Sequence, residues 1–312
     1  MTALFLLMVV LNPGEFLRIG NLQTMAFQLP ELGLLSLAMM VTMLTGGINL
    51  SIIATANMSG IVTALILTGA INPEAPPPGA GGIILLAVAA GLLTALVIGL
   101  LNGLLVARLK VSPILATLGT MTLVNGLAIV TTRGYVISGL PNAVRFIGNG
   151  VVLGIPVGAI IFILCAALMA LILNRTPLGF NIYMLGSNPV ASRYSGVNNT
   201  TVIIKTYLIS SLYAGFAALI MLSRFNSAKA GYGKSYLLIT ILASVLGGTS
   251  AAGGFGRVSG LVMALVILQV VSSGLNLLRV SSFLTITFWG VIIILVMVMN
   301  FFSAKLKERR LV

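Results

Sequence analysis

The sequence predicts an all-α membrane protein, a polytopic helical bundle of about ten transmembrane segments with helices broken at glycine-rich motifs. Of the 312 residues, 59% are hydrophobic and 7% are charged, whereas charged residues make up about a quarter of a soluble domain. The mean hydropathy is +1.16. The 35 glycines suit helices that pack closely through small residues. We therefore expect residues 1–312 to form a single transmembrane domain.

The predicted spans follow from the length of the apolar stretches, because a helix that crosses a bilayer needs about 20 mostly apolar residues. Two shorter stretches, 1–11 and 235–247, complete the count of about ten. Residues 1–11 lack the basic segment and small-residue cleavage site of a signal peptide, so we interpret them as a short first helix. The clear stretches are 26–45, 50–71, 82–107, 113–131, 153–174, 206–223, 257–276 and 283–302.

The charged residues exclude several classes of function. There are four acidic residues, all glutamates, and no histidine, so the usual metal ligands and the histidine general base are missing. We predict neither a metal site nor an enzyme. The single cysteine, Cys165, lies in an apolar run and is interpreted as buried helix filler. A membrane enzyme that modifies lipids would need clusters of His, Asp or Glu that this chain lacks.

The basic residues predict the orientation in the membrane. The net charge is +13, but the basic residues are scattered through short loops. We interpret this distribution as the charge bias that orients a protein in the membrane, and not as a nucleic-acid-binding surface. With ten spans, the loops on the side of the termini carry ten Lys or Arg residues and the opposite loops carry seven. Because positive loops stay inside, we expect both termini on the cytoplasmic side.

Two glycine-rich motifs interrupt the apolar stretches. TGGINLS at 45–51 lies between two spans without a charged loop, and LGGTSAAGGFGR at 246–257 closes another apolar run. Irregular backbone at membrane depth is tolerated where it is buried in protein or lines a wet cavity. The first motif is therefore either a tight turn between helices or a discontinuous helix near a translocation pathway, and the second forms with it a pair of broken segments of the kind that indicates a transporter site.

Polar residues within the apolar stretches are expected to face protein or water, because they are costly in lipid. We predict a translocation pathway near the two motifs and the polar positions that accompany them. The predicted pathway residues are Gly46, Gly47, Asn49, Ser51, Asn57, Asn102, Asn125, Gly247, Gly248, Thr249 and Ser250.

The longest polar segment on the predicted cytoplasmic side is 174–205. Asn188 followed by Pro189 is typical of a helix start. A short helix outside the membrane could dock into a groove of a cytosolic partner, and a solvated loop is the alternative. On the opposite side, residues 224–236 could line an outer mouth or anchor the chain at the interface.

Four motifs in order resemble the branched-chain amino acid/ribose permease family of ABC importers, in its ribose-type branch. They are TGGINLS (45–51), GLLNGLLVARLKVSPILATLGTMTLVNGLA (99–128), NRTPLGFNIYMLGSNPVASRYSGVN (174–198) and LASVLGGTSAAGGFG (242–256). The third resembles the segment that couples the permease to its ATPase. The resemblance assigns this coupling to Gly186, Asn188, Pro189, Ala191, Ser192, Arg193, Ser195 and Gly196.

The resemblance implies a multi-pass permease subunit in a bacterial inner membrane, surrounded by lipid. It implies a second permease subunit, identical or different, two ABC ATP-binding subunits, and a periplasmic binding protein that delivers a sugar or similar small polar solute. ATP and magnesium would then lie on the partner subunits, and this chain would hold no cofactor. The sequence has no Gly-rich nucleotide-binding loop ending in Gly-Lys-Ser/Thr.

The sequence departs from the family pattern at three places. The family's acidic residue in the first motif is Asn49, the acidic residue before the last motif is absent from 236–241, and the arginine after the coupling glycine is Phe180. An ion-coupled secondary transporter is the alternative function. Such a transporter usually keeps an acid within the membrane, and only Glu31 could serve as one.

Overall fold

The computed structural model describes residues 14–71, 77, 79–281, 284–285, 287–292, 294–295 and 298. The helices of this part are α1 (Ile19–Met43), α2 (Ile52–Ala70), α3 (Ala80–Ala107), α4 (Pro113–Thr132), α5 (Asn142–Asn149), α6 (Val157–Arg175), α7 (Pro177–Ser187), α8 (Pro189–Tyr194), α9 (Asn199–Phe225), α10 (Tyr236–Leu246) and α11 (Val258–Leu277). The strands are β1 (Ile137–Ser138), β2 (Val151–Val152), β3 (Ile155–Pro156) and β4 (Ser227–Ala228).

Seven of the described helices are long and apolar enough to cross a membrane: α1, α2, α3, α4, α6, α9 and α11. A multi-pass helical membrane protein is therefore confirmed, but the number of about ten spans is not. The predicted first helix, 1–11, lies outside the described residues. The described positions of the predicted span 283–302 are helical, and its remaining positions lie outside the described residues.

Two helices are longer than the apolar stretches predict. Helix α1 begins at Ile19 and α9 at Asn199, whereas their apolar stretches begin at 26 and 206. Hydropathy detects only the apolar part of a helix, while backbone hydrogen bonding continues through the polar residues that flank it. Pro30 lies inside α1, and the helix accommodates it, as membrane helices do when their neighbours satisfy the freed carbonyl group.

Helix α9 is the centre of the bundle, because it packs against α1, α2 and α3. Glycines of α3 make the closest of these approaches possible. A methyl group added at Gly99 would lie 2.6 Å from the Ser211 hydroxyl oxygen, and one added at Gly103 would lie 3.0 Å from the Cα of Ile204. Small residues at such positions allow helices to pack tightly without a hydrophobic driving force between them.

Helices α3, α4 and α6 present apolar side chains to the outside of the bundle. Leu85 of α3 is 72% exposed, Val130 of α4 is 75% exposed and Leu164 of α6 is 64% exposed. Continuous apolar surfaces of this kind mark membrane or protein contacts. The pattern agrees with a bundle that is surrounded by lipid.

The two ends of the bundle differ. One end, the α7–α8 end, carries the short helices α7 and α8. The opposite end carries α5 and two small antiparallel strand pairs, β1 with β4 and β2 with β3. Each strand is only two residues long, so the fold is helical, as predicted. A positive φ angle at Gly154 allows the tight reversal between β2 and β3.

Helix α10 is too short to cross a bilayer. Its 11 residues rise about 16 Å at 1.5 Å per residue, against a hydrocarbon core of about 30 Å. The second glycine-rich motif follows it directly and leads into α11. This motif therefore separates a half-length helix from a full one, as predicted for a broken helix, whereas the first motif connects the two long helices α1 and α2.

Candidate functional site: a glycine junction and a buried polar network

The two glycine-rich motifs and the coupling segment meet at the α7–α8 end. The backbone N–H of Gly254 donates a hydrogen bond of 2.9 Å to the carbonyl oxygen of Leu44. A methyl group added at Gly253 would lie 2.8 Å from the amide nitrogen of Gly46 and 2.9 Å from the carbonyl oxygen of Gly186. We call the contact of 44–47, 186–187 and 252–254 the glycine junction.

The junction has no room for side chains at its centre. A methyl group at Gly186 would overlap the Leu44 carbonyl oxygen and lie 2.5 Å from the Gly254 nitrogen, and these are backbone atoms that cannot rotate away. Gly254 also has a φ of +78°, which glycine adopts without a steric cost. Glycine is therefore required here both for the close approach and for the backbone conformation.

A tyrosine of α7 joins the same region. The Tyr183 hydroxyl donates a hydrogen bond of 2.8 Å to the carbonyl oxygen of Gly256. Burial raises the pKa of Tyr183, and the nearby positive charge of Arg257 opposes this shift. The phenol therefore stays protonated and remains a donor across the physiological pH range, so α7 holds the second motif by a side-chain bond as well as by packing.

A buried polar network lies directly after the first motif. The Asn49 amide nitrogen donates to the Ser210 hydroxyl at 3.0 Å, and the Asn49 side-chain oxygen accepts from the backbone N–H and the hydroxyl of Ser51. Asn102 donates to the Ser51 hydroxyl at 2.8 Å. Asn49, Ser51 and Asn102 are fully buried, so the network joins α2, α3 and α9.

Several polar atoms of this region have no protein partner within the described residues. They are the side-chain oxygens of Thr55, Asn102, Tyr207, Ser211 and Thr249. An unsatisfied buried polar atom costs about 1–3 kcal/mol, and such atoms call for a structural or functional reason. A region that is rich in uncommitted hydrogen-bonding groups can exchange partners when the helices move.

The other predicted pathway residues are spread over the molecule. Asn57 is buried near the start of α2 and donates to the carbonyl oxygen of Tyr232, in the loop before α10, at 3.1 Å. Asn125 is half-buried and has no side-chain hydrogen bond in the described part of the chain. Gly248 is exposed with a φ of +84°, and the Ser250 hydroxyl accepts from the Ala252 backbone N–H at 3.2 Å.

Gly247 has a packing reason for being glycine. A methyl group added there would lie 2.7 Å from the backbone nitrogen of Leu261, so the end of α10 rests on the first turn of α11. The structure thus brings Gly46, Gly47, Asn49, Ser51 and Asn102 together, but it places Asn57 and Asn125 elsewhere. That these residues line a pathway stays a prediction.

The coupling segment forms the short helix that its sequence predicts. Asn188 caps α8, since its side-chain oxygen accepts hydrogen bonds of 3.0 Å from the backbone N–H groups of Val190 and Ala191. Asn188, Pro189, Ala191, Arg193, Ser195 and Gly196 are exposed. Ser192 is instead fully buried and donates to the Asn199 side chain at 2.9 Å, so it ties α8 to α9, and Gly186 is half-buried within the glycine junction.

In the middle of α1, Glu31 is fully buried and paired. Its Oε1 atom accepts from Arg224 and from the Tyr236 hydroxyl, each at 2.6 Å. The glutamate therefore connects α1 with α9 and α10. The candidate acid of an ion-coupled transporter is thus held by a cation and a phenol. Among the described residues, no group of His, Cys, Asp or Glu could hold a metal ion.

Sequence reasoning missed two side-chain amides, those of Gln28 in α1 and Gln269 in α11. The Gln269 amide nitrogen of α11 donates to the Gln28 side-chain oxygen of α1 at 3.0 Å. Their presence in apolar stretches was the available signal, because amides in membrane helices usually face protein or water.

Comparison with known proteins identifies relatives over nearly the whole chain. The ribose import permease protein RbsC of Bacillus subtilis (strain 168) is 36% identical over 302 residues, covering 95% of this chain and 90% of its own length. RbsC of Escherichia coli (strain K12) is 35% identical, covering 93% of this chain and 88% of its own length. The D-allose transport system permease protein AlsC of E. coli (strain K12) is 30% identical, with 91% and 84% covered.

No solved structure matches the chain. The family model described as "Branched-chain amino acid transport system / permease component" matches residues 21–299. This range includes the glycine junction, the buried polar network and the coupling segment. The chain belongs to this permease family.

Proposed function

We propose that this chain is the transmembrane permease subunit of an ATP-driven ABC importer that carries a sugar. The observation that carries the proposal is the similarity, over nearly the whole chain, to permeases named for ribose and D-allose. The chain provides a bundle of membrane-spanning helices and performs no covalent chemistry. It is a multi-pass protein of the bacterial inner membrane, with about ten spans and both termini in the cytoplasm.

ATP hydrolysis is proposed for partner subunits. The importer then contains a second permease subunit, two ATP-binding subunits with ATP and magnesium, and a periplasmic sugar-binding protein. We expect the ATP-binding subunits to dock on helix α8. The helix is exposed along one side, and Ser192 anchors it to α9 on the other side. A short exposed helix that is anchored to the bundle can transmit a displacement of a bound partner to the membrane helices.

The glycine junction could transmit that displacement from the coupling segment to the membrane helices. The residues just before α8 touch both glycine-rich motifs, so a displacement of the coupling segment acts on α1, α10 and α11 together. Transport follows if nucleotide-driven movement of the partners favours one conformation of the permease over another. Because the junction contacts are between backbones, they transmit displacement without flexible side chains in between.

An ion-coupled secondary transporter remains the competing function, and Glu31 is the residue it would need. The contacts of Glu31 with Arg224 and Tyr236 favour a structural role instead. Affinity purification of the tagged chain from its native membrane distinguishes the two functions. An importer permease co-purifies with an ATP-binding subunit and shows ATPase activity that the sugar-loaded binding protein stimulates. A chain that purifies without an ATPase and transports sugar on an ion gradient would contradict the proposal.

A further inference from the structure

A cavity with several polar lining residues lies between α1, α10, α11 and the helical residues 287–292. Its volume is about 90 Å³, and a water molecule needs roughly 10–15 Å³ on this measure, so the space is large enough for several waters. It lies toward the end of the bundle opposite to α7 and α8. We call it the amide–indole cavity. Its lining residues are Gln28, Leu32, Tyr236, Ile239, Leu268, Gln269, Ser272 and Trp289.

The cavity offers hydrogen-bonding groups that the protein does not use. Gln269 donates to the Gln28 side-chain oxygen at 3.0 Å, which leaves the Gln28 amide nitrogen and the Gln269 side-chain oxygen without a protein partner in the described part of the chain. The Ser272 hydroxyl and the Trp289 indole N–H have no protein partner there either. Two amide groups, a hydroxyl and an indole thus supply both donors and acceptors.

The burial of these groups requires a reason. Gln269 and Trp289 are each only 5% exposed, and polar groups within a membrane bundle are costly unless they serve packing or a ligand. Among the described residues, no charged side chain lines the cavity. Glu31 is paired with Arg224 and with the Tyr236 hydroxyl, and Tyr236 also lines the cavity.

This chemistry fits one class of ligand. A neutral, hydroxyl-rich ring presents donors and acceptors around its edge, which match the free amide and hydroxyl groups. Its C–H faces can pack on an aromatic ring such as that of Trp289. A charged ligand would leave its charge unpaired in a buried site. Mostly enclosed pockets with a few convergent polar groups and an aromatic wall are typical of small-molecule sites.

We propose that the amide–indole cavity binds a neutral monosaccharide on its way through the permease. This proposal rests on the proposed function and adds residues that the glycine-rich motifs do not contain. The importer then holds the sugar by Gln28 and Gln269 in the half of the bundle that faces the periplasm, after the binding protein releases it.

The experiment uses the single tryptophan of the chain, Trp289, as a reporter inside the cavity. The full-length chain is placed in lipid nanodiscs, and its tryptophan fluorescence is recorded while D-ribose, D-allose or L-arabinose is added. At least one sugar is expected to change the emission in a saturable manner, whereas equal concentrations of glycine betaine leave it unchanged. A chain that supports sugar uptake but shows no saturable change with the sugar it transports would overturn the proposal.

Variants of the two amides locate the binding. Gln269→Leu and Gln28→Leu are expected to raise the half-saturating sugar concentration about two- to tenfold for each hydrogen bond lost. Gln23→Leu is the matched control, because Gln23 is exposed on the same helix, and it should leave the titration unchanged. If the leucine variants do not fold, Ser272→Ala replaces them as a milder change. Equal shifts in Gln23→Leu and Gln269→Leu would show that the sugar does not bind in this cavity.

Uptake separates the two possible failures. ATP-dependent uptake measured on the same preparations reports on the proposed function independently of the cavity. Uptake that persists without a fluorescence response contradicts the cavity alone. Absence of both ATPase co-purification and ATP-dependent uptake contradicts the importer itself.

Discussion

The backbone amide of Gly254 lies 2.9 Å from the carbonyl oxygen of Leu44 and donates a hydrogen bond to it. The bond joins two glycine-rich segments that are far apart in the sequence. Gly186 fills the remaining space beside both atoms. The segment that leads to the exposed helix α8 therefore contacts both the end of α1 and the backbone that connects α10 with α11.

Gly186→Ala is expected to damage the glycine junction. Its methyl group would overlap the Leu44 carbonyl oxygen and would force backbone apart, and overpacking of this kind costs about 1–3 kcal/mol. We expect reduced thermal stability in detergent and a loss of ATP-dependent uptake that exceeds any loss of ATPase binding. Gly126→Ala is the control, since nothing lies within 4 Å of the added methyl group. Wild-type stability and uptake in Gly186→Ala would show that the junction tolerates separation.

Asn49→Leu is expected to destabilise the buried polar network. The change removes the partner of the Ser51 backbone N–H and hydroxyl, and each buried group left unsatisfied costs about 1–3 kcal/mol. Asn49→Asp keeps this acceptor and should cost less. Unfolding followed by circular dichroism measures the stability of each variant. Asn125→Leu is the control, because Asn125 makes no side-chain hydrogen bond in the described region. Equal losses for Leu and Asp would mean that the acceptor is unimportant.

Ala191→Trp tests the docking of α8. Ala191 is exposed, so the folded permease should insert and remain stable, but a bulky ring at a packed contact costs about 1–3 kcal/mol. We expect co-purification of the ATP-binding subunit to fall roughly tenfold or more. Ala89→Trp places the same ring on an exposed position of α3 and should leave assembly intact. If both variants assemble alike, α8 is only a connector.

Arg224→Leu is expected to cost more stability than Glu31→Gln. Glu31 is completely buried, whereas the Arg224 side chain is 21% exposed. Removal of the arginine leaves a buried carboxylate without its cation and typically costs about 3–5 kcal/mol, while the freed arginine of Glu31→Gln can still reach water. The double variant should recover part of the loss. Thermal unfolding of the four proteins provides the test, and the reverse order of the single variants would exclude a structural ion pair.

The fold class was predictable because apolar length and missing charge decide it. The helices α2, α3, α4 and α11 begin and end within two residues of the predicted spans 50–71, 82–107, 113–131 and 257–276. The early start of α1 was not predictable, since residues 19–25 contribute little hydropathy. The two-residue strands were also missed, because their pairing, such as Ile137 with Ala228, joins residues distant in sequence.

The candidate site was predictable only in part. The double glycines predicted interruptions of the helices, and Asn188–Pro189 predicted a helix start. The structure shows α8 and the interruption after α10. That the motifs touch each other through Gly186 and Gly254 depends on tertiary packing, which a single sequence does not reveal. The same reason explains Ser192: its position in α8 was evident, but its burial against Asn199 is set by the approach of α9.

The most direct test of the proposed importer function is sugar uptake into proteoliposomes that contain this chain, its ATP-binding subunits and its binding protein. ATP is enclosed or omitted, and no ion gradient is imposed. We expect labelled monosaccharide to accumulate only when both ATP and the sugar-loaded binding protein are present. Accumulation that proceeds without ATP, or that requires a proton or sodium gradient, would contradict the proposed function.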